Sequence, residues 1–381
     1  MMRIVVEGWR FLPHSFGIVN QYQCLELLNR PDVELYHRDM PYLFKNWRPT
    51  SGLFPEAQEA RLRAIPEPPE GLQSDAVLRM AVPYRVEADP AARRTFMWGT
   101  AEWGIVRDAA MVGHRPARDV LPHTEATIIT SSNWSRDGFV RSGAPPDKVV
   151  VVPCGVDTGL FKPATPEERA ALRARFGWEG KFVVLNIGVV TRNKGIVELL
   201  TAVAALAGRF PSLWLVLKGA DRLYNSKQFL QQWLERLPPA DAALVRSRLQ
   251  YVSNALPSAG MAALYQAADV YVSPYQAEGF NMPVLEAMAC GLPVICTKGG
   301  PTDEFTHPDF ARRIDSTLVA MKEEDKLRLA PDVDHLIALM ADVVGNGAFR
   351  EQARAAGPAF VATRFTWTHV VDRLLQVLAP R

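Results

Sequence analysis

The chain has 381 residues, 48% of them hydrophobic and 22% charged, with a formal net charge of +2. That is the composition of an ordinary globular protein, long enough for two domains with a core each, and no apolar run approaches the roughly 18 residues of a membrane span. Residues 1–160 carry 18 Lys/Arg against 19 Asp/Glu, so charge gives no case for a nucleic-acid partner or for membrane association.

The opening MMRIVVEGWRF has no hydrophobic signal core, because Glu7 and Arg10 interrupt it. Cys24, Cys154, Cys290 and Cys296 show neither CxxC spacing nor a disulfide framework. Reduced thiols in a cytoplasmic protein are expected. Arg3 to Glu7 reads as a first strand and Ile18 to Leu28 as a helix. The loop between them, Gly8 to Gly17, holds His14. Residues 36–94 are rich in proline and carry Tyr42, Phe44 and Trp47. Only Leu53 to Ala64 and Ser74 to Met80 suggest short helices there. The aromatics are either a sugar platform or core packing. Thr95 to Trp98, Ala126 to Thr130 and Val149 to Pro153 read as strands, with Glu102 just after the first of these. Ser131 to Ser135 caps a helix from about Arg136.

The second half alternates strand and helix more cleanly. Lys181 to Val190, Leu213 to Leu217, Leu249 to Val252, Asp269 to Ser273 and Val294 to Thr297 read as strands. Helices Ile196 to Phe210, Ser226 to Leu237, Ser258 to Ala267 and Pro283 to Cys290 lie between them. Such repeats imply a parallel sheet with ligands at the C-terminal strand ends. Three helices follow, Leu336 to Val344, Ala348 to Phe360 and Thr368 to Leu378.

The most specific stretch is Glu278-Gly279-Phe280-Asn281-Met282-Pro283-Val284-Leu285-Glu286, two glutamates with seven residues between them around a loop–helix junction. Unpaired N–H groups at such a junction attract phosphate. Carboxylates beside an anion site suit hydroxyl groups, to which they are strong acceptors. A diphosphate with a polyol at each end fits, which describes a nucleotide-sugar. The first strand of this half ends in Gly188-Val189-Val190-Thr191-Arg192-Asn193-Lys194-Gly195, where two cations suit a leaving diphosphate. Lys218 ends the next strand, where a solvated lysine is the commoner outcome.

These segments resemble the retaining family-four glycosyltransferases (glycosyl transferases group 1), which have the GT-B fold. The resemblance runs from about Thr127 to Phe365, plus the first strand and loop. It implies an α/β chain of two Rossmann-like, doubly wound parallel-sheet domains facing across a cleft. Residues 1–163 would form the acceptor side, with helix 366–381 packing back on it, and 164–365 the donor domain. Glu286 would hold the donor ribose, while Glu278 and the amides of Gly279 to Met282 would hold the transferred sugar and distal phosphate. Lys194 and Arg192 would stabilise the leaving group, with Gly188 and Lys218 nearby. Gly17, His14, Trp47 and Glu102 would lie on the acceptor side. The partners implied are a nucleotide-sugar and a carbohydrate or other hydroxyl acceptor. No cofactor and no metal are expected, and a metal-dependent transferase of the GT-A type is not. Asn281 stands where the family commonly has glycine, Cys154 where it has asparagine, and Val189 where it has arginine. A GT-B phosphorylase, a nucleotide-sugar hydrolase or a catalytically silent binding protein would share the donor pocket.

Overall fold

Six short runs of the first half pair into one sheet in the computed structural model, which describes residues 1–321 and 326–379. The elements, in order, are β1 (Met2–Gly8), α1 (Ser15–Leu27), β2 (Val33–Asp39), α2 (Glu56–Arg63), β3 (Ala76–Met80) and β4 (Thr95–Trp98). After them come α3 (Ala117–Val120), β5 (Thr127–Thr130), α4 (Asn133–Arg141) and β6 (Val149–Val151). The strands are parallel in the order β2-β1-β3-β4-β5-β6.

One expectation changes here and one strand is new. Ser74 to Met80, read as a helix, is strand β3, and the polar segment VELYHRD is strand β2. Ala, Leu and Met favour helix locally, but all five residues of β3 are buried between β1 and β4, and tertiary context outweighs propensity. Arg79 hides the strand in the sequence. Its register partner on β1 is Glu7, whose partner on β2 is Arg38. The Arg79 Nε lies 3.3 Å from Glu7 Oε2, and Arg38 also pairs with Glu7. A buried charge is tolerated when it is paired in this way.

The second half supplies α5 (Pro166–Phe176), β7 (Phe182–Ile187), α6 (Ile196–Ala207), β8 (Leu213–Lys218), α7 (Ser226–Glu235), α8 (Pro239–Ser247) and β9 (Leu249–Val252). Next come α9 (Ser258–Ala267), β10 (Val270–Ser273), α10 (Met282–Ala289), β11 (Val294–Thr297) and β12 (Ala311–Ile314). The hairpin strands β13 (Ser316–Met321) and β14 (Lys326–Pro331) precede α11 (Val333–Gly345), α12 (Gly347–Ala362) and α13 (Trp367–Leu378). The second sheet runs β12-β11-β10-β7-β8-β9, with parallel pairing throughout. Helix α5 adds to the elements expected from the sequence, although its signal is legible: Thr165 and Glu168 form a capping box around Pro166.

The chain divides into one unit of Met1–Gly155 with Phe365–Arg381, and another of Val156–Arg364. In the second, α6 buries Leu199, Leu200, Val203 and Leu206 in a core shared with Leu215, Val272, Leu336 and Met340. Each such side chain stabilises the unit by about 1.5–3 kcal/mol. Among the described residues no helix is long and apolar enough to cross a membrane.

Candidate functional site

In the second unit the chain leaves β7 for β8 on one side and returns to pair β10 on the other. The point where strand order reverses opens a crevice at the C-terminal strand ends, the usual ligand position in such sheets. The loops after β7 and β10 meet there. Gly195, at φ +67°, closes the first loop, and a Cβ on it would stand 1.8 Å from the Pro274 carbonyl oxygen. That contact lets Asn193 bridge the loops. Its backbone oxygen accepts from the N–H of Gln276 at 2.7 Å, and its Nδ2 donates to the Ala277 oxygen at 3.2 Å. Thr191 Oγ1 in turn donates to Asn193 Oδ1 at 2.6 Å. The hairpin adds a clamp, since the Leu329 N–H donates to the Gln276 oxygen at 2.7 Å.

The zipped loops bring Lys194 and Glu278 together, with Nζ 2.6 Å from Oε1. Glu278 is buried. Arg192 begins the 3₁₀ turn Arg192–Lys194, is exposed and, among the described residues, makes no ion pair. Gly188 follows β7 directly, with its N–H on the Lys218 oxygen at 3.0 Å. Lys218 departs from the solvated state expected of it. It is buried, its Nζ donates to the Gly219 oxygen, and burial pushes its pKa down.

Helix α10 follows from Asn281, whose φ is +76° and whose Nδ2 donates to Ser273 Oγ at 2.9 Å. Left-handed backbone is open to glycine and, among other residues, chiefly to Asn and Asp. The replacement of a family glycine by Asn281 therefore keeps the conformation. Met282 takes the first helical position and Pro283 the second, one place later than expected. Gly279 and Phe280 are buried, and the Phe280 ring stacks on Phe305 at 4.7 Å, a packing role for the side chain. Half-buried Glu286 accepts from Tyr265 Oη at 2.7 Å through Oε2. Burial raises its pKa to about 7, against the pull of that hydrogen bond. The two glutamates thus differ: Glu278 is ion-paired, and Glu286 titrates near neutrality. Tyr265 and Asn193 escaped sequence reading. The signals were a tyrosine in an alanine-rich helix and an amide between two cations.

In the first unit His14 caps α1, its Nδ1 accepting the Phe16 N–H at 3.2 Å. Its ring lies 5.6 Å from Trp9 and 5.3 Å from Trp47. Trp47 is only 2% exposed. Of the two readings of that aromatic group, Trp47 takes the packing one, because no face is left for a sugar. Gly17 lies inside α1, where a Cβ would approach the Leu12 oxygen to 2.8 Å. Glu102 is half-buried, and its backbone oxygen accepts from Trp134 Nε1 at 2.9 Å. Cys154 is buried, as are the other three thiols, and all four are free.

Among the described residues no group of three or more His, Cys, Asp or Glu is arranged to hold a metal ion. The sequence does contain one Asp-x-Asp, Asp332-Val333-Asp334. Its first member caps α11, with Oδ1 accepting the His335 N–H at 2.9 Å.

Residues 168–339 match the family model described as glycosyl transferases group 1. A D-inositol 3-phosphate glycosyltransferase of Segniliparus rotundus is 31% identical over 236 residues, covering 61% of this chain and 47% of that protein. The chain thus spans about half the length of that relative. A GDP-mannose-dependent monoacylated alpha-(1-6)-phosphatidylinositol monomannoside mannosyltransferase of Corynebacterium glutamicum is 29% identical, covering 92% of this chain and 87% of that one. Among solved structures, Anabaena Alr3699/HepE in complex with UDP and glucose matches with a TM-score of 0.71 at 15% identity, over 99% of each chain. The chain matches the glycosyl transferases group 1 over residues 168–339 and has the GT-B fold.

Proposed function

We propose that the protein transfers a hexose-type sugar from a nucleotide-sugar to a hydroxyl acceptor with retention at the anomeric carbon. The observation that carries this is the junction of the β7 and β10 loops, where Lys194 and Glu278 are held 2.6 Å apart at the strand-order switch point. The names of the relatives, which include a GDP-mannose-dependent enzyme, and the UDP and glucose of the structural neighbour support a nucleotide-sugar donor. In the reaction the anomeric carbon–oxygen bond to the diphosphate breaks and one to the acceptor oxygen forms on the same face. The acceptor proton goes to a phosphate oxygen, through an oxocarbenium-like state. The chain's share is positioning and charge stabilisation. Lys194 and Arg192 answer the diphosphate, Glu278 orients the sugar hydroxyls, and Glu286 holds the ribose. The amides of Gly279 to Met282 at the start of α10 receive the distal phosphate, with Gly188 and Lys218 beside them. His14, Gly17 and Glu102 belong to the acceptor side, Gly17 and His14 by shaping the loop. The reaction runs without a bound metal, in the cytoplasm.

The test is to incubate purified protein with UDP- and GDP-sugars and to measure released nucleotide with and without sugar and cyclitol acceptors. Acceptor-dependent release that falls at least tenfold in Lys194→Ala is expected. Release independent of any acceptor would favour a hydrolase, and release driven by inorganic phosphate a phosphorylase. Binding without turnover of any donor would leave a silent binding protein.

A further inference from the structure

The first unit holds a cavity of about 470 Å³, lined among others by Arg10, Phe11, Asp39, Tyr42 and Arg63. This volume lies within the range of small-molecule sites. None of these residues belongs to the donor site. Arg10 grips Asp39 with two hydrogen bonds, Nε to Oδ1 at 2.8 Å and Nη2 to Oδ2 at 2.7 Å, and its Nη1 donates to the Leu62 oxygen at 2.5 Å. Arg10 is buried, while the Asp39 side chain remains 54% exposed, with acceptor capacity to spare. Behind it His37 Nδ1 lies 3.3 Å from Asp39 Oδ1, and His37 Nε2 is 2.9 Å from Asn20 Nδ2. The carboxylate is thus fixed by the two-pronged Arg10 grip, with the His37 ring behind it.

Phe11 has φ +58°, an outlier for a bulky residue. Two hydrogen bonds enforce it. The Phe11 N–H donates to Gln21 Oε1 at 2.9 Å, and the Phe11 oxygen accepts from the Thr50 N–H at 2.7 Å. Such enforced strain gathers at ligand sites. The ring it presents carries the Arg63 guanidinium, centred 4.2 Å from its centroid, which holds this otherwise exposed cation at the wall.

We infer that this cavity binds an uncharged hydroxylated ring, a sugar or cyclitol. Adjacent hydroxyls would donate to Asp39 and accept from Arg63, and the ring's C–H faces would meet Phe11 and Tyr42. Charge balance decides against an anion. Asp39 offsets Arg10, and Glu59, 3.3 Å from Arg63 Nη2, offsets Arg63. Taking this ring as the acceptor rests on the transferase reading, but its binding does not.

Ligand-observed NMR with the full chain, in the absence of nucleotide, tests the cavity against glucose, mannose and myo-inositol. Saturable binding in the millimolar range is expected for at least one of them, weakened roughly fivefold or more by Asp39→Asn and by Arg63→Ala. Arg63 is exposed, so its variant remains folded if loss of the Arg10 partner upsets Asp39→Asn. Phe11→Gly relieves the backbone and should leave the thermal midpoint no lower while weakening the sugar. Failure of all three compounds to bind, or equal binding by wild type and Arg63→Ala, overturns the assignment. Tight binding of glucose 6-phosphate or inorganic phosphate in place of the neutral rings overturns the uncharged class. Nucleotide affinity, measured separately, reports on the donor reading alone.

Discussion

Glu286 and Arg192 carry the residue-scale consequences. With its pKa raised to about 7 by burial, Glu286 is largely protonated at pH 6 and ionised at pH 8. The ionised form is the stronger acceptor for ribose hydroxyls, so nucleotide affinity should rise about tenfold across that interval. Calorimetry on Glu286→Gln should find weaker binding and only the slope due to the nucleotide's own phosphate. Tyr265→Phe should move the midpoint upward, since the lost hydrogen bond stabilises the carboxylate. An identical pH profile in wild type and Glu286→Gln would remove this residue from ribose recognition. Arg192 answers a second question, because the sequence resemblance leads one to expect an arginine where Val189 stands. An exposed guanidinium two residues before Lys194 is available to grip phosphate oxygens bidentately. Both Arg192→Ala and Arg192→Lys should lower kcat, alanine more, because charge grows on the diphosphate in the transition state. Parent turnover in both would place Arg192 outside the chemistry.

At the scale of elements, what was legible and what was not follow from one physical difference. Strands of the second unit such as β9 and β11 are bounded by turn signals and alternate with helices, so period and punctuation agree. In the first unit β2 and β3 carry charges into the sheet, and Arg79 looks solvated until its register partner Glu7 is known. Pairing across strands is absent from local sequence. The loops of the site were legible as motifs, but their contact was not. Nothing in the sequence says that Gly195 must face a carbonyl from a loop some eighty residues later. This makes Gly195→Ala a sharp test. Gly177 has nearly the same φ, +66°, with no atom within 4 Å of where a Cβ would stand. Its alanine variant should lose only the roughly 1–2 kcal/mol of left-handed strain. Gly195→Ala adds the clash with Pro274, separates the loops and should lose more stability than Gly177→Ala, together with nucleotide affinity. Denaturant unfolding and calorimetry on the pair measure both effects. Equal losses would mean that the Asn193 bridge does not depend on close approach.

For the whole molecule, the division of the chain is unequal in sequence terms. The second unit is one continuous stretch, Val156–Arg364, whereas the first needs Phe365–Arg381 to be complete. Helix α13 buries Trp367, Val370, Val371 and Leu374, and the Trp367 ring stacks on Tyr22 of α1 at 5.1 Å. Gly155 lies beneath the same tryptophan, where a Cβ would come within 2.8 Å of the ring. A fragment of residues 1–155 therefore loses the five buried apolar side chains of α13, Leu378 included, and exposes their partners. At about 1.5–3 kcal/mol each, that loss rivals the whole stability of a typical domain. Residues 156–364 keep every strand of their sheet and both loops of the proposed donor site. Expressed alone, this fragment should unfold cooperatively and bind nucleotide with an affinity close to the parent's. Fragment 1–155 should be unfolded or aggregated, and adding residues 365–381 through a flexible linker should restore its cooperative transition. A stable fragment 1–155 would show that α13 contributes little to the first unit. Loss of nucleotide binding in a folded 156–364 would show that donor recognition needs residues outside the second unit.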